Sequence, residues 1–408
     1  MNSAMIIQWQ FKVLSAVLLG LPAIVLRLSG IEPAAPVGMV VFGFAIVASA
    51  FLLAWGAETA EKDISASLAV AILALIAVLP EYAVDLYFAY AAGHKPEYAP
   101  YAVANMTGSN RLLIGIGWSM VALISGYVIA RGRTVSLKSF LFESGATLSS
   151  RRRIELLFLA IAGVYAFLIP LTRTISLLDS VVLLLLFGLY IWRVSGCEQE
   201  EPELVGVAEY LGKLPRNTRR MTIVGFFVYA AIVVLSSAEP FANALVHTGK
   251  AWRIDEFLLV QWLAPLASES PEFVVAFLLA VRKKTDSAIG TLLSSKVNQW
   301  TLLIGSIPLA YLAGGGSWSM HLDARQVEEV FLTASQTVLG LAFLINLRLT
   351  VFEGLALFLL FIAQFFFPQT EARLWLSVLY LIIAGAIFFV QRKQIIADFS
   401  GFWSKKCP

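Results

Sequence analysis

Two stretches decide the fold of this chain: ALIAVLPEYAVDL at residues 74–86 and ASESPEFVVAF at residues 267–277. Each places a Pro-Glu pair inside a long apolar run, Pro80-Glu81 in the first and Pro271-Glu272 in the second. The sequence LLIG follows each pair, at 112–115 and at 302–305. The two prolines are 191 residues apart and the two LLIG runs are 190 apart, so we predict that the chain contains two related halves.

The composition is that of a membrane protein. Hydrophobic residues make up 59% of the 408 residues, charged residues make up 14%, and the mean hydropathy is +0.80. A soluble domain carries roughly 25% charged residues. We therefore predict a multi-span integral membrane protein whose surroundings are the lipid bilayer. The sequence contains no phosphate-binding loop, so we expect no nucleotide, nucleic acid or cofactor.

Apolar runs of about 17 to 30 residues, bounded by charged residues or by Pro and Gly, predict twelve membrane spans. We expect the first span to be retained as a helix, because no small-residue cleavage site precedes Arg27. The predicted spans lie near 12–30, 37–57, 64–92, 100–130, 153–171, 175–194, 221–246, 254–282, 286–313, 327–347, 350–367 and 372–391.

Basic residues are distributed unevenly between the alternate connections of these spans. The side that holds both termini carries 21 of the 30 Lys and Arg residues, and the opposite side carries 7. Since basic loops remain in the cytoplasm, we predict that both termini are cytoplasmic. The helix with Glu81 then runs outward and the helix with Glu272 runs inward, so the repeats are inverted.

We therefore predict an all-α polytopic membrane protein of about 12 transmembrane helices, with two inverted five-helix repeats and one extra helix at each end. Inverted repeats with interrupted helices near the midplane are typical of secondary transporters. The predicted boundaries are 1–36 for the first extra helix, 37–194 for the first repeat, 195–220 for a cytoplasmic linker, 221–367 for the second repeat, and 368–408 for the last helix and tail.

A carboxylate beside a proline at membrane depth points to a cation site. Calcium and sodium are hard cations that take oxygen ligands. Proline has no N–H, so we expect it to interrupt each helix and to leave the carbonyl one turn back unpaired. A kinked helix with a bonded glutamate would explain one copy. Two matched copies favour a function, because an intramembrane carboxylate costs about 2.5 kcal/mol or more.

These stretches, with ANMTGSNRLLIG at 104–115 and TLLSSKVNQWTLLIG at 291–305, resemble the paired alpha repeats of the calcium/cation antiporter superfamily, whose best-known members are the sodium/calcium exchangers. The resemblance covers residues 74–117 and 264–307, and the rest of the chain fits by topology. It implies a central group of cation sites in which Glu81 and Glu272 are the principal ligands.

The chain departs from the Thr-Ser-x-Pro-Glu core of that family. Ala77-Val78 replaces the hydroxyl pair of the first repeat, whereas Ser268-Glu269 places a second carboxylate three residues before Glu272. Residues three or four apart share a helix face. Asp85, four residues after Glu81, is therefore another candidate ligand, and the alternative is that it faces a different span.

The resemblance also implies ligands on the second helix of each repeat. The alternative is that these hydroxyls and amides hold helices together. Two registers remain open in the first repeat, one that matches Gly-Ser-Asn literally and one that aligns the LLIG runs. The candidates are Asn105, Ser109 and Asn110 in the first repeat and Ser295, Asn298 and Gln299 in the second.

Arg111 and Lys296 are unexpected in a cation site, and we expect each to pair with a carboxylate. Set against these two, the four candidate carboxylates leave two net negative charges, which would balance one divalent or two monovalent ions. We hypothesise that Lys296 is an internal counter-charge that keeps the site neutral without its substrate. The alternative is an ion pair that locks two helices.

The leading hypothesis is a secondary active antiporter that exchanges Ca²⁺, or another metal cation, for Na⁺ or H⁺ by alternating access. A second is a monovalent cation/H⁺ exchanger of the same architecture. A remote third is an intramembrane enzyme that uses Glu81 and Glu272 as an acid/base pair, although no nucleophile or metal motif accompanies them. We expect the bacterial plasma (inner) membrane as the location, and the sequence does not predict an oligomeric state.

Overall fold

A computed structural model describes residues 3–63, 78–131, 136–196, 204–367 and 369–402, with side chains between residues 9 and 392. Helices dominate it, which confirms the all-α polytopic fold. The chain divides into two compact units, and each takes helices from both predicted repeats. Unit 1 contains Met1–Asn105, Val194–Val275 and Ala310–Gly315, and unit 2 contains Met106–Arg193, Ala276–Leu309 and Gly316–Pro408.

Most helices are long and apolar. Two segments are π helices, Leu113–Trp118 and Gln299–Leu303, and two are single 3₁₀ turns, Pro96–Tyr98 and Ser150–Arg152. The α helices are α1 (Ser3–Ser29), α2 (Ala35–Ala60), α3 (Leu79–Ala92), α4 (Ala99–Leu112), α5 (Ser119–Ala130), α6 (Leu137–Glu143), α7 (Arg153–Tyr165), α8 (Leu168–Thr172), α9 (Leu177–Ser195), α10 (Val207–Leu211), α11 (Arg216–Trp252), α12 (Glu256–Val281), α13 (Thr285–Asn298), α14 (Ile304–Ala313), α15 (Ala324–Leu344), α16 (Val351–Phe366) and α17 (Thr370–Phe402).

Among the described residues, nine helical segments are long and apolar enough to cross a membrane, and α16 is apolar but shorter. The total of twelve stays a prediction, because the predicted span 64–92 lies partly outside the described residues, as do Ala77 and part of the linker. The nine segments are Trp9–Ser29, Ala35–Ala60, Pro96–Ala130, Ser150–Thr172, Leu177–Ser195, Arg216–Trp252, Glu256–Val281, Ala324–Leu344 and Thr370–Arg392.

In unit 1, α2 packs against α1 and α11. Leu52 of α2 and Ala230 of α11 are fully buried in their shared core. Small residues let helices approach closely in lipid, where packing rather than water drives association. Gly56 of α2 illustrates this, because a Cβ there would collide with the ring of Phe227. The close packing fixes the end of α2, which carries Glu58.

Unit 2 contains four short strands that the sequence analysis did not predict: β1 (Gly145–Thr147), β2 (Thr174–Ser176), β3 (Ser319–His321) and β4 (Arg348–Thr350). β1 pairs antiparallel with β4, and β2 pairs antiparallel with β3. β3 and β4 lie 174 residues after β1 and β2 respectively. β1 therefore corresponds to β3, and β2 corresponds to β4. Each sheet pairs one strand of the first half with one strand of the second half, as expected for inverted repeats.

The helices that follow β2 and β4 begin with equivalent caps. Asp179 accepts hydrogen bonds from the main-chain N–H and the hydroxyl of Ser176, at 2.7 and 2.6 Å. Glu353, also 174 residues later, accepts the same pair from Thr350, at 2.7 and 2.8 Å. Such capping boxes satisfy N–H groups that the first helical turn leaves unbonded. The caps thus give two carboxylates near span starts a structural role.

Asp63 joins the end of α2 to the start of α11 within unit 1. Its carboxylate accepts Nε and Nη2 of Arg219 at 2.7 and 2.8 Å, while Arg216 and Arg220 lie 3.5 Å away. The hydrogen bond from Arg219 lowers the pKa of Asp63 below its usual value of 3.8. This ion pair is the main described polar link between the two helices.

We expect Asp63→Asn to lower the free energy of unfolding by about 1–2 kcal/mol at neutral pH, because it removes a two-point charged hydrogen bond. Since the folded-state pKa is lowered, this contribution is present above pH 3.8 and is lost as the pH falls through the lowered value. Thermal unfolding of the detergent-solubilised protein measures the change. The control is Arg216→Gln, because the Arg216 side chain is 68% exposed. An equal loss in both variants would contradict the assignment.

Candidate cation-binding site

Glu81 and Asp85 lie on one face of α3. Pro80 is in the first turn of this helix, where a missing N–H costs nothing. Glu81 is 4% exposed and Asp85, one turn later, is fully buried. Both oxygens of Asp85 have no hydrogen-bond partner among the described residues. Two buried carboxyl groups are therefore held one turn apart at the start of a helix that has proline in its first turn.

In the second repeat, the expected interruption at Pro271 does not break the helix: α12 is continuous from Glu256 to Val281. Proline removes a single N–H, and the turns on both sides keep their hydrogen bonds. Ser268 and Glu269 are buried, and Glu272 is partly exposed. The Ser268 hydroxyl donates to the carbonyls of Ala264 and Pro265, each at 3.3 Å, so its lone pairs remain available.

Unit 1 brings these acidic groups together. Glu272 interacts electrostatically with Glu81, Glu81 with Asp85, and Glu58 with Glu272. The Asn105 amide lies beside Asp85, although its geometry does not make a hydrogen bond. Buried polar atoms are normally hydrogen-bonded. The two oxygens of Asp85, which have no hydrogen-bond partner among the described residues, fit a proton or a hard cation.

Glu58 also belongs to this group, although it lies outside the Pro-Glu and LLIG motifs. It lies near the end of α2, and its Oε2 has no hydrogen-bond partner among the described residues. Glu239, its counterpart in the other half, instead forms a 2.7 Å ion pair with Arg27 at an exposed position. The signal available from the sequence was the spacing of Glu58 and Glu239, which does not tell the two environments apart.

Lys296 and Asn110 meet inside unit 2. Lys296 is fully buried on α13, and its Nζ donates to the main-chain oxygen of Asn110 at 2.8 Å and to its Oδ1 at 3.0 Å. Ser109, the neighbour of Asn110, is fully buried, and its hydroxyl has no hydrogen-bond partner among the described residues. The amide oxygen predicted as a cation ligand thus binds an ammonium group.

The remaining predicted ligands lie at the end of α13 and in the π helix that follows it. Ser295 is half-buried, while Asn298 and Gln299 are buried. Gln299 is the first residue of the π helix. Their role as ligands stays a prediction, and so does the register of the first repeat.

The LLIG runs coincide with a change of helix type in both halves. Residues 113–115 lie in the first π helix, and 302–303 close the second. A Cβ at Gly115 would collide with the ring of Phe361 on α16, and one at Gly305 would press on Leu183 and Leu184 of α9. Close helix contact therefore requires glycine at Gly115 and favours it at Gly305. Single π turns inside α helices occur frequently at functional sites.

A second charged cluster in unit 2 was not predicted. Glu329 of α15 forms ion pairs with Arg111 and Arg373, and Arg111 also donates to Gln364 at 2.7 Å. Arg111 and Glu329 are fully buried or nearly so, and Arg373 is 4% exposed. Arg111 thus pairs with a carboxylate that the sequence analysis did not single out. The signal was the Glu328-Glu329 pair inside an apolar span.

We expect Glu329→Gln to destabilise the protein by about 3–5 kcal/mol, because it leaves two buried guanidinium groups without their shared carboxylate. Thermal unfolding in detergent measures the loss. The control is Glu371→Gln at an exposed position of α17, which should change stability by less than about 0.5 kcal/mol. If the two variants unfold at the same temperature, the cluster does not stabilise unit 2.

The profile of the family described as "Sodium/calcium exchanger protein" matches residues 34–196 and 222–368. No curated protein sequence matches the chain. The crystal structure of the H⁺/Ca²⁺ exchanger CAX is similar to this chain with a TM-score of 0.88 and 43% identity, over 96% of this chain and 97% of that one.

Two further solved structures share the fold at low identity. The structure of native YfkE has a TM-score of 0.62 and 14% identity, over 92% of this chain and 99% of that one. The sodium-calcium exchanger NCX_Mj has a TM-score of 0.50 and 20% identity, over 86% of this chain and 100% of that one.

Proposed function

This chain belongs to the sodium/calcium exchanger family, and we propose that it exchanges Ca²⁺ for protons across the membrane. The single observation that supports this most is the electrostatic interaction between Glu81 and Glu272, on helices taken from both repeats. The relative with 43% identity is an H⁺/Ca²⁺ exchanger, which favours protons over Na⁺ as the coupling ion.

In the proposed mechanism, Ca²⁺ and protons compete for the same carboxyl oxygens. Glu81 and Glu272 bind the metal, and the neighbouring oxygens of Asp85, Asn105 and Ser268 complete its coordination. Carboxylates must lose their protons to bind a cation, so Ca²⁺ binding releases protons and protonation releases Ca²⁺. Like charges this close repel one another in a poorly solvated site. The unloaded site therefore holds protons, and exchange follows from the competition.

Glu269 and Glu58 lie in the same unit as these residues. Both Glu269 and Glu81 are close enough to Tyr82 to interact with it electrostatically. We assign Glu269 to the site as a further carboxylate and Glu58 as a carboxylate next to Glu272 that exchanges protons. The unit 2 residues Ser109, Ser295, Asn298 and Gln299 stay predicted ligands.

The test is ⁴⁵Ca²⁺ uptake by proteoliposomes with an acidic interior. We expect uptake that collapses with the proton gradient and does not need Na⁺. Glu81→Gln and Glu272→Gln should each reduce the rate at least ~30-fold, since removing one charged ligand costs about 2–5 kcal/mol. The matched control, Glu371→Gln, changes an exposed carboxylate in the same way and should retain the wild-type rate.

Other outcomes identify other functions. Uptake driven by a sodium gradient alone would make the protein a sodium/calcium exchanger. Na⁺ flux linked to pH without Ca²⁺ movement would favour the monovalent cation/H⁺ exchanger. The absence of any gradient-driven flux from correctly folded protein would overturn the proposal.

We also propose that the chain lies in the bacterial plasma membrane with both termini in the cytoplasm, because its basic residues concentrate on that side. The two native cysteines, Cys197 and Cys407, both fall on this predicted side. A membrane-impermeant maleimide should therefore leave intact cells unlabelled and should react after permeabilisation. A cysteine that replaces the exposed Lys250 in a cysteine-free variant lies on the predicted outer side, so it should react with the maleimide in intact cells. Labelling of the native cysteines in intact cells would contradict this orientation.

A further inference from the structure

The ammonium of Lys296 binds main-chain and side-chain oxygens inside unit 2. It binds the main-chain oxygen and the Oδ1 of the same residue, Asn110, at 2.8 and 3.0 Å. The ring centroid of Trp300 lies 5.6 Å from Nζ. Lys296 itself is fully buried. A cation at the end of a side chain thus occupies a site made of a carbonyl, an amide and an aromatic face.

The ligands around Nζ are those that a small cation uses in proteins. Carbonyl and amide oxygens are hard, uncharged donors, and an aromatic face attracts a nearby positive charge. The Asn110 side chain is oriented for this task, because its Nδ2 donates to the carbonyl of Met106 at 3.0 Å and so turns Oδ1 toward the lysine. The first π helix begins three residues after Asn110, where the register of main-chain hydrogen bonds changes.

A lysine ammonium is a compact point charge, unlike the planar guanidinium of arginine. It can therefore take the place of a monovalent ion that has lost its hydration shell.

We propose that Lys296 permanently fills a monovalent cation subsite at Asn110, so that this chain carries its own cation there and does not bind Na⁺ from solution. This inference rests on the proposed Ca²⁺/H⁺ exchange and deepens it, because a filled subsite leaves protons as the coupling ion. Asn110 then serves as the ligand of a tethered cation, and the side chain of Lys296 is what excludes Na⁺.

Two variants that lose the same charge distinguish a filled cation subsite from a contact that only holds two helices together. Lys296→Ala removes the ammonium and opens space at the Asn110 oxygens. Lys296→Met also removes the charge, but it fills the space with an apolar chain of similar length. We expect Na⁺ to bind only the Ala variant. Lys250→Ala, at an exposed position, controls for the loss of a lysine as such.

The first measurement is the thermal unfolding temperature of purified full-length protein in NaCl and in choline chloride of equal ionic strength. Na⁺ should raise it by at least about 2 °C in Lys296→Ala, because an ion that binds the folded state stabilises it. Wild type, Lys296→Met and Lys250→Ala should unfold at the same temperature in both salts. A Lys296→Ala protein that unfolds identically in Na⁺ and choline, or fails to fold in both, overturns the subsite.

The second measurement is proton-driven ⁴⁵Ca²⁺ uptake with Na⁺ or choline inside and outside the vesicles. Na⁺ should change the rate several-fold in Lys296→Ala and leave wild type unchanged. Soaking Lys296→Ala crystals in Tl⁺, a heavy monovalent cation, should place an anomalous peak next to the Asn110 oxygens. If wild type transports no Ca²⁺, the proposed function fails, whereas the Na⁺-dependent stability and the Tl⁺ peak still decide the subsite.

Discussion

The candidate site depends on the placement of several carboxyl groups of unit 1 so close together that their charges interact. Glu81 and Glu272 repel each other when both are ionised, and Asp85 and Glu58 extend the group. In a poorly solvated site such repulsion is much stronger than in water. In the proposed site, the group is therefore stabilised when it holds protons or a cation. A site with this property can exchange one for the other, and the surrounding helices serve to hold its members in place.

The second buried charge cluster shows what the same physics does when the charges are compensated. In unit 2, Glu329 accepts both Arg111 and Arg373, and a guanidinium does not lose its proton under physiological conditions. Those charges therefore stay fixed at all relevant pH values. The contrast separates two uses of buried carboxylates in one chain. Glu329, which is bonded to arginines, joins helices, whereas both oxygens of Asp85 have no hydrogen-bond partner among the described residues. In the proposed mechanism, those oxygens take up the exchanged ions.

The parts of the site that follow a short motif were predictable, and those that depend on long-range contacts were not. Two Pro-Glu pairs and two LLIG runs indicated duplication, because each recurs at nearly the same offset. The capping boxes recur at an offset of 174 rather than 190, since intervening loops differ in length between the halves. The partner of Arg111 lies 218 residues away, and no local pattern identifies it. The sequence analysis placed Lys296 inside a predicted span as a counter-charge, and its contact with Asn110 became visible only in the fold.

The continuity of α12 changes how its prolines act. Pro265 and Pro271 both lie inside the helix, so neither produces a break that would expose a run of carbonyls. Each proline still withholds one N–H, which would otherwise reach the carbonyl four residues earlier. For Pro271 that carbonyl belongs to Ala267, one residue before Ser268 and two before Glu269. Main-chain oxygen is therefore available next to the carboxylates without loss of the helix. A helix that stays intact keeps Glu269 and Glu272 on one face, and a cation there meets both charged and neutral oxygens.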